Sequence, residues 1–161
     1  MSNLLVVKDK VQRYVSELFD HVGLTDEGGL RIPIGSTTIF ISIGESEDEE
    51  TISFNKEHDI SQTWIRVYAP VLIMVKPSNE LFKWIAIEGQ HRDYGGYRFV
   101  ADEKEEMTLI EFSYSLPGDS LDPGELKNAV LSVLFASDGQ DEELQKKFGG
   151  KLFEEFQNEK K

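Results

Sequence analysis

The sequence predicts an α+β domain in which an antiparallel β-sheet packs against helices. Helical repeats of apolar residues stand at both ends of the 161-residue chain, and segments in which apolar and polar residues alternate are grouped between them. This grouping disfavours a doubly wound parallel sheet, in which strands and helices alternate regularly. The predicted order is α-β-β-(β)-β-α-β-β-α, and residues 1–150 are expected to form one domain without an internal repeat or a linker.

The first predicted elements are a helix over residues 4–22 and a β-hairpin. One face of the helix carries the apolar residues Leu4, Val7, Val11, Tyr14, Val15, Leu18 and Val22. Gly23 would end this helix, with Leu24 folding back onto it. Isoleucine and leucine then alternate with polar residues over residues 30–34 and 39–43, which predicts two strands with one buried face.

The middle of the chain begins with an acidic run at residues 45–50. The run lacks the ordered ligands and the central glycine of a calcium-binding EF-hand loop, so we expect an exposed, self-repelling loop. A short strand over residues 51–54 and a long strand over residues 61–75 come next. Pro70 marks an edge, a bend or a bulge in the long strand.

Two aromatic residues of the long strand are the first candidates for contact with a partner. Trp64 and Tyr68 lie on one side of the strand because strand side chains alternate with a period of two. Aromatic side chains supply much of the binding energy at interfaces, and they are also common in protein cores. The pair are therefore either core residues or contacts to a partner.

One helix and two strands separate the long strand from the last helix. Ser78 or Asn79 can cap the helix, and Gly89 ends it. The two strands are predicted over residues 97–102 and 107–115, where apolar and polar side chains alternate.

One long helix is predicted over residues 122–148. Asp122 can act as its N-cap, Pro123 as its first residue and Glu125 as the partner of Asp122 in a capping box. One face suits packing on a sheet and carries Leu126, Ala129, Val130, Val133, Ser137, Gln140, Leu144 and Phe148. Gly139 is a weak point, because glycine inside a helix costs about 1 kcal/mol relative to alanine.

A second apolar patch lies towards the other side of this helix and consists of Leu131, Leu134 and Phe135. A surface helix should be polar there, so something else is expected to cover the patch. Three alternatives could cover the patch. They are a second copy of the chain, a segment of the same chain (residues 151–156 or the first helix), and a bound cargo segment. Residues 151–161 are either a short docking helix or a frayed tail.

Composition limits the partners that the protein can bind. Thirty acidic and 17 basic residues give a net charge of −13, without a cluster of basic residues, which disfavours binding to nucleic acid or to an anionic membrane. A basic protein could instead bind the acidic surface. The chain has no cysteine, no signal peptide and no stretch long enough to span a membrane, so we expect a cytoplasmic protein.

Motifs for catalysis, metals and cofactors are missing from the sequence. The three histidines lack the spacing of zinc ligands, no phosphate-binding glycine loop is present, and no serine lies in a nucleophile elbow. Glu88, His91 and Asp93 are the only acid–base group worth considering, and polar residues in a turn are usually just solvated. We therefore expect no catalytic residue, no cofactor and no metal.

Four short motifs extend through most of the chain. They are Val67-Tyr68-Ala69-Pro70-Val71-Leu72, Pro77-Ser78-Asn79-Glu80-Leu81, Gly118-Asp119 with Leu121-Asp122-Pro123 and Glu125-Leu126, and Asp141-Glu142-Glu143-Leu144 before Phe148-Gly149-Gly150. Together they resemble the YbjN-like proteins of the type III secretion chaperone-like fold, especially the forms found in actinobacteria. The resemblance is strongest over residues 65–150.

This resemblance implies a protein that tends to dimerise and binds peptides or unfolded segments, without a cofactor or a catalytic residue. Such proteins usually carry Leu-Asn-type residues in the central helix, where this chain has Trp84-Ile85-Ala86-Ile87-Glu88, so an asparagine-dependent contact is missing. The leading hypothesis is a non-enzymatic, chaperone-like or regulatory homodimer. An acidic inhibitor or immunity-type protein that neutralises a basic partner is the alternative, and a small enzyme is the third hypothesis.

Overall fold

The computed structural model describes residues 3–89, 94–102, 104 and 107–159. The elements of this part of the chain are α1 (Asn3–Leu18), β1 (Gly23–Leu24), β2 (Leu30–Ile34), β3 (Thr37–Glu45), α2 (Glu49–Glu57), β4 (Thr63–Ile73), α3 (Asn79–Ile87), β5 (Gly96–Ala101), β6 (Thr108–Pro117), α4 (Pro123–Asp138), α5 (Asp141–Phe148), β7 (Lys151–Leu152) and α6 (Phe153–Glu159). The predicted α+β class, with an antiparallel sheet packed against helices, is confirmed.

The described strands join one antiparallel sheet in the order β1-β2-β3-β4-β6-β5, and β7 also pairs with β4. The long strand β4 is therefore central. Its Tyr68 lies opposite Phe40 of β3 and opposite Ser113 of β6. On the far side of β6, Glu111 lies opposite Arg98 of β5. These registers bring side chains from four strands into rows across the sheet.

Helices α1 and α4 cover one face of the sheet and enclose the core. The helices contribute the buried residues Val7, Val11, Val15, Leu126, Ala129, Val130 and Val133. The sheet contributes Leu30, Ile32, Ile39, Ile41, Ile65, Val67, Ala69, Ile110 and Phe112. Full burial of one large aliphatic side chain contributes about 1.5 to 3 kcal/mol, so this face supplies most of the stability of the fold.

Pro70 marks a β-bulge in the central strand. The pairing of β4 with β6 shifts its register between Pro70 and Leu72, where proline has no N–H group to donate. Strand β3 pairs with β4 only as far as Tyr68, so the last residues of β4 have no pairing with β3 on that side. Strand β7 fills that side by pairing with Leu72 and Ile73.

The strand predicted over residues 51–54 is wrong, because the segment belongs to α2. The carboxylate of Asp48 caps this helix by accepting hydrogen bonds from the N–H groups of Glu50 and Thr51, at 3.1 and 2.9 Å. Hydrogen bonding from Thr51 lowers the pKa of Asp48. Glu49 and Glu50 lie in the first turn, where the helix dipole favours negative charge. The acidic run therefore starts a helix and is not a self-repelling loop.

The single long helix predicted over residues 122–148 is also wrong, because Gly139 separates α4 from α5. Glycine has a low helix propensity, and here it ends the first helix. The predicted start is confirmed. Asp122 accepts a hydrogen bond from the N–H of Glu125 at 2.9 Å, and the Glu125 carboxylate accepts one from the N–H of Asp122 at 3.1 Å.

The predicted end of the first helix needs a similar correction. Helix α1 ends at Leu18, and Gly23 and Leu24 form β1 by pairing with β2. Leu24 is 69 % exposed, so it does not fold back onto the helix. The cap of α3 is Ser78, whose hydroxyl accepts a hydrogen bond from the N–H of Leu81 at 3.1 Å.

The connection between β6 and α4 is fastened to the start of β4 by Asp119. Its carboxylate accepts hydrogen bonds from the Thr63 hydroxyl at 2.6 Å, from the Gln62 N–H at 2.8 Å and from the Asn3 side-chain amide at 2.6 Å. Partial burial raises the pKa of Asp119, but these hydrogen bonds outweigh that effect and hold the pKa below its usual range. The neighbouring Gly118 lies directly against Thr63.

Replacing Asp119 with asparagine should lower the free energy of unfolding near neutral pH by about 1 kcal/mol, because a neutral amide accepts weaker hydrogen bonds than a carboxylate. The pKa is lower in the folded state, so the ionised carboxylate stabilises the fold above the unfolded-state pKa. This contribution is lost as the pH falls through the folded-state pKa. Urea denaturation at a series of pH values, from neutral to below about pH 4, measures the difference in unfolding free energy between the variant and the wild type. This difference should shrink as the pH falls. The variant Asp9→Asn, at an exposed position of α1, is the control, and a pH-independent difference would contradict this account.

Candidate functional site

The sheet face opposite α1 and α4 is only partly covered, and we call it the open face. Alternate residues of β3, β4, β5 and β6 occupy it, including Phe40, Ser42, Trp64, Arg66, Tyr68, Arg98 and Glu111. Their sequence neighbours Ile41, Ile65 and Val67 are buried on the other face. The alternation of strand side chains thus separates a dry core face from an accessible one.

Aromatic side chains form the centre of the open face. Trp64 is 44 % exposed. Its ring lies over Gly44 of β3, where a Cβ atom would come within 2.2 Å of the indole. Tyr68 stacks on Phe40 with ring centroids 5.5 Å apart, and Phe153 of α6 meets Phe40 edge-on at 5.8 Å. The C-terminal segment therefore borders the aromatic cluster.

A groove runs beside these rings, lined by Phe40, Trp64 and Tyr68 and bounded by the turn at residues 25–29. Its volume of about 480 Å³ falls within the usual range for ligand sites. Strand β2 pairs with β3 only over residues 37–41. Within the described chain, the rest of β3 has no strand on that side, so its edge lies open beside the groove.

A buried carboxylate with two arginines lies next to the aromatic rings. Glu111 is 4 % exposed, and Arg66 and Arg98 both donate hydrogen bonds to its Oε1 atom. The Arg66 guanidinium carbon also lies 4.5 Å from the centroid of the Tyr68 ring, in a cation–π contact. Burial raises the pKa of Glu111, and the hydrogen bond and charge of Arg98 oppose this rise. We call Arg66, Arg98 and Glu111 the arginine–glutamate cluster.

The second apolar patch of α4 is divided between two environments. Leu131 and Leu134 are half-buried and line a shallow groove with Leu18 and other residues at the end of α1 and in β2. Phe135 is 71 % exposed. The first helix thus contacts part of the patch, whereas residues 151–153 pair with β4 and contact Phe40 instead.

The proposed acid–base group lies mostly beyond the described residues. Glu88 caps the end of α3 and is exposed, whereas His91 and Asp93 fall outside the part of the chain that the structure describes. Within that part, no cluster of at least three histidine, cysteine, aspartate or glutamate side chains could hold a metal ion. None of the helices described is both long and apolar enough to cross a membrane.

Four residues of the open face were missed by sequence reasoning: Phe40, Arg66, Arg98 and Glu111. Arg66 lies between Trp64 and Tyr68 in the same alternation, so the signal for this residue was present. Phe40 is an aromatic residue on the outward side of a strand whose inward side is isoleucine. The contact of Glu111 with two arginines depends on the order of β4, β6 and β5, which alternation alone does not reveal.

Comparison with known proteins agrees with the resemblance described above. The family model for the T3SS (YopN, CesT) and YbjN peptide-binding chaperone 1 matches residues 6–156. No curated protein matches. A chain of the HopA1–SchA chaperone–effector complex is similar with a TM-score of 0.54 and 17% identity, over 88% of this chain and 97% of that chain, which shows a common fold. The chain belongs to the TY-Chap1 family of T3SS and YbjN peptide-binding chaperones.

Proposed function

We propose that this protein is a non-enzymatic, chaperone-like or regulatory module that binds an extended segment of another protein in the groove of the open face. The observation that carries the proposal is Trp64, a large aromatic side chain held accessible beside a free strand edge. Aromatic anchors supply side-chain contacts, and a free edge supplies backbone hydrogen bonds. The cysteine-free chain suits the reducing cytoplasm, which we propose as the location.

The family description and the structural neighbour support this class of ligand. The family is one of peptide-binding chaperones, and the neighbour is part of a chaperone–effector complex. In the proposed complex, the bound segment runs along the free edge of β3 and adds its peptide groups to the sheet. Its apolar side chains contact Trp64 and Tyr68, so both residues act in binding and not in the core.

Selection from a phage-displayed library of random dodecapeptides tests this proposal. The variant Trp84→Phe retains Trp64 as its only tryptophan, and binding of a selected apolar peptide should shift the Trp64 emission to shorter wavelength. The matched variant Trp64→Phe retains only Trp84, which is 7 % exposed and should report no shift. Failure to select any peptide, or a shift confined to Trp84, would contradict the proposed site.

We also propose that the protein acts as a homodimer with Phe135 at its interface. A two-fold interface joins the same surface of both copies, so a protruding side chain must lie near the hollow that receives its counterpart. Phe135 protrudes from α4 beside the groove that Leu131 and Leu134 line. One copy could therefore insert its Phe135 into the groove of the other.

The variant Phe135→Glu should convert the dimer to a monomer, because a charge would be buried at the centre of the apolar interface. Light scattering coupled to gel filtration measures the mass. Leu24→Glu is a matched control, since Leu24 is 69 % exposed and Phe135 is 71 % exposed. A wild-type monomer, or a dimer that survives Phe135→Glu, would rule out this interface.

An acidic inhibitor that neutralises a basic partner is the second candidate function. The net charge of −13 favours it. The two functions differ in salt dependence, because contacts between exposed charges are screened by salt and apolar contacts are not. Affinity for the natural partner that falls steeply with added salt would favour the inhibitor.

A further inference from the structure

The C-terminal segment, residues 151–159, contacts the sheet in the way that a bound peptide would. Its strand β7 pairs with Leu72 and Ile73, on the side of β4 that β3 does not reach. Phe153 then meets the ring of Phe40 edge-on. Backbone pairing at a strand edge and an aromatic anchor are the two contacts by which peptides commonly add to a sheet.

The segment is attached without entering the core. No residue of β7 or α6 is buried. The N–H of Leu152 donates a hydrogen bond to the carboxylate of Glu155 at 2.9 Å, so this polar contact lies within the segment itself. Gly149 and Gly150 join the segment to α5 with φ angles of 72° and 86°, which glycine adopts without strain. A segment with little burial behind two glycines can open at a small cost in free energy.

A cavity of about 390 Å³ lies between the segment and the junction of α4 with α5. Its lining includes the carboxylates of Asp138, Asp141 and Glu142, together with Glu154 of the segment. An ion pair with Lys146, 3.8 Å away, offsets only the charge of Glu142. Burial, with the negative charges of Asp138 and Glu142, raises the pKa of Asp141. The segment thus places a negative side chain beside a negative wall, and this repulsion weakens its attachment.

We propose that the end of β4 and the ring of Phe40 form a second peptide-binding site, which the C-terminal segment occupies until a segment of another protein displaces it. The incoming segment is extended where it pairs with β4 and carries an aromatic residue for Phe40. A lysine or arginine follows, at the position that Glu154 takes now, and converts the repulsion in the cavity into attraction. This site is separate from the groove beside β3, so it does not depend on the function proposed there.

The test uses a fluorescent synthetic peptide with the sequence of residues 149–159. The full-length double variant Leu152→Ser/Phe153→Ser weakens the attachment of its own segment and should therefore accept the peptide. Binding to this variant should be at least about tenfold tighter than to the wild type, in which the tethered segment competes at an effective concentration on the order of 1 mM. Fluorescence anisotropy measures both affinities.

The charge of the ligand is tested with a second peptide that carries Glu154→Lys. It should bind the double variant about fivefold more tightly than the first peptide, and added salt should reduce this difference. Asp138→Asn in the double variant removes one charge from the cavity wall and should lower the preference for lysine. Asp9→Asn removes an equal charge from α1, outside the cavity lining, and should leave the preference unchanged.

Phe82→Ser is the matched control for the opened site, because it removes a partly exposed aromatic ring elsewhere and should bind the peptide as weakly as the wild type does. Thermal unfolding checks that each variant is folded. Hydrogen exchange of the wild-type protein gives a second measurement that needs no substitution. The amides of residues 151–153 should exchange at least about tenfold faster than those at the start of β4.

Equal affinity of the first peptide for the wild type and the double variant, or no binding to either, would overturn the second site. Equal protection of residues 151–153 and the start of β4 would do the same, because the segment would then not open. A preference for lysine that survives Asp138→Asn would overturn the assigned ligand charge. None of these results touches the groove, which the emission of Trp64 reports separately.

Discussion

Alanine in place of Trp64 is expected to weaken the binding of a selected peptide by at least about tenfold, because truncation of an aromatic anchor commonly costs more than about 1.4 kcal/mol. The indole lies on the accessible face of the sheet over Gly44, so its loss removes the wall of the groove and opens no cavity in the core. Circular dichroism and thermal unfolding should therefore show an intact fold. Anisotropy titration with a labelled peptide measures the affinity.

Phe82 provides a closely matched control for this substitution. It is 44 % exposed, as Trp64 is, and its ring lies edge-on to that of Phe99, with centroids 5.3 Å apart. It belongs to α3 and lies outside the groove. Phe82→Ala should leave peptide affinity within about twofold of the wild type. Equal losses in the two variants would mean that exposed aromatic residues in general, and not the groove, bind the peptide.

Valine at position 118 should have the largest effect on stability, about 3 kcal/mol of unfolding free energy, at the upper end of the range for overpacking. A Cβ atom on Gly118 would lie 2.3 Å from Oγ1 of Thr63 and 3.0 Å from Cγ1 of Val7. Thr63 is 2 % exposed and is held by its hydrogen bond to Asp119, so it has no room to move aside. Urea denaturation measures the loss.

Gly28→Ala separates this steric effect from a general cost of replacing glycine. Gly28 has a φ of 77°, and a Cβ atom at this position would meet no other atom within 4 Å, so only the left-handed backbone opposes alanine. That cost is about 1 kcal/mol. If Gly118→Val is no more destabilising than Gly28→Ala, the Gly118-Asp119 motif does not hold the sheet to α4 in the way described.

Local signals in the sequence were enough for the fold class and for most elements. The alternation in β2 and β3 and the capping box at Asp122 depend on neighbouring residues alone, and both are present in the structure. The errors arose where one signal competed with another. A short strand was predicted for residues 51–54, and the cap at Asp48 starts a helix there instead. At Gly139, a weak point in the sequence, a continuous apolar stripe favoured one helix, and the structure breaks there between α4 and α5.

Only part of the candidate site could be predicted from the sequence, for a physical reason. Trp64 and Tyr68 share a face through strand periodicity, which a single segment reveals. The arginine–glutamate cluster joins three strands, and it exists only because β6 lies between β4 and β5. Pairing between distant strands depends on the packing of the whole core, so no local pattern predicts the contact of Arg66 with Glu111.

Hydrogen–deuterium exchange with and without a selected peptide tests the central claim most directly, because it locates the bound segment on the backbone. A peptide in the groove should slow amide exchange in β3 and in the first half of β4, around Trp64 and Tyr68, and leave α4 unchanged. Protection at a dimer interface is the same in both samples, so it cancels in the comparison. Protection around Phe135 without any change in β3 and β4 would contradict the assignment of the open face as the binding site.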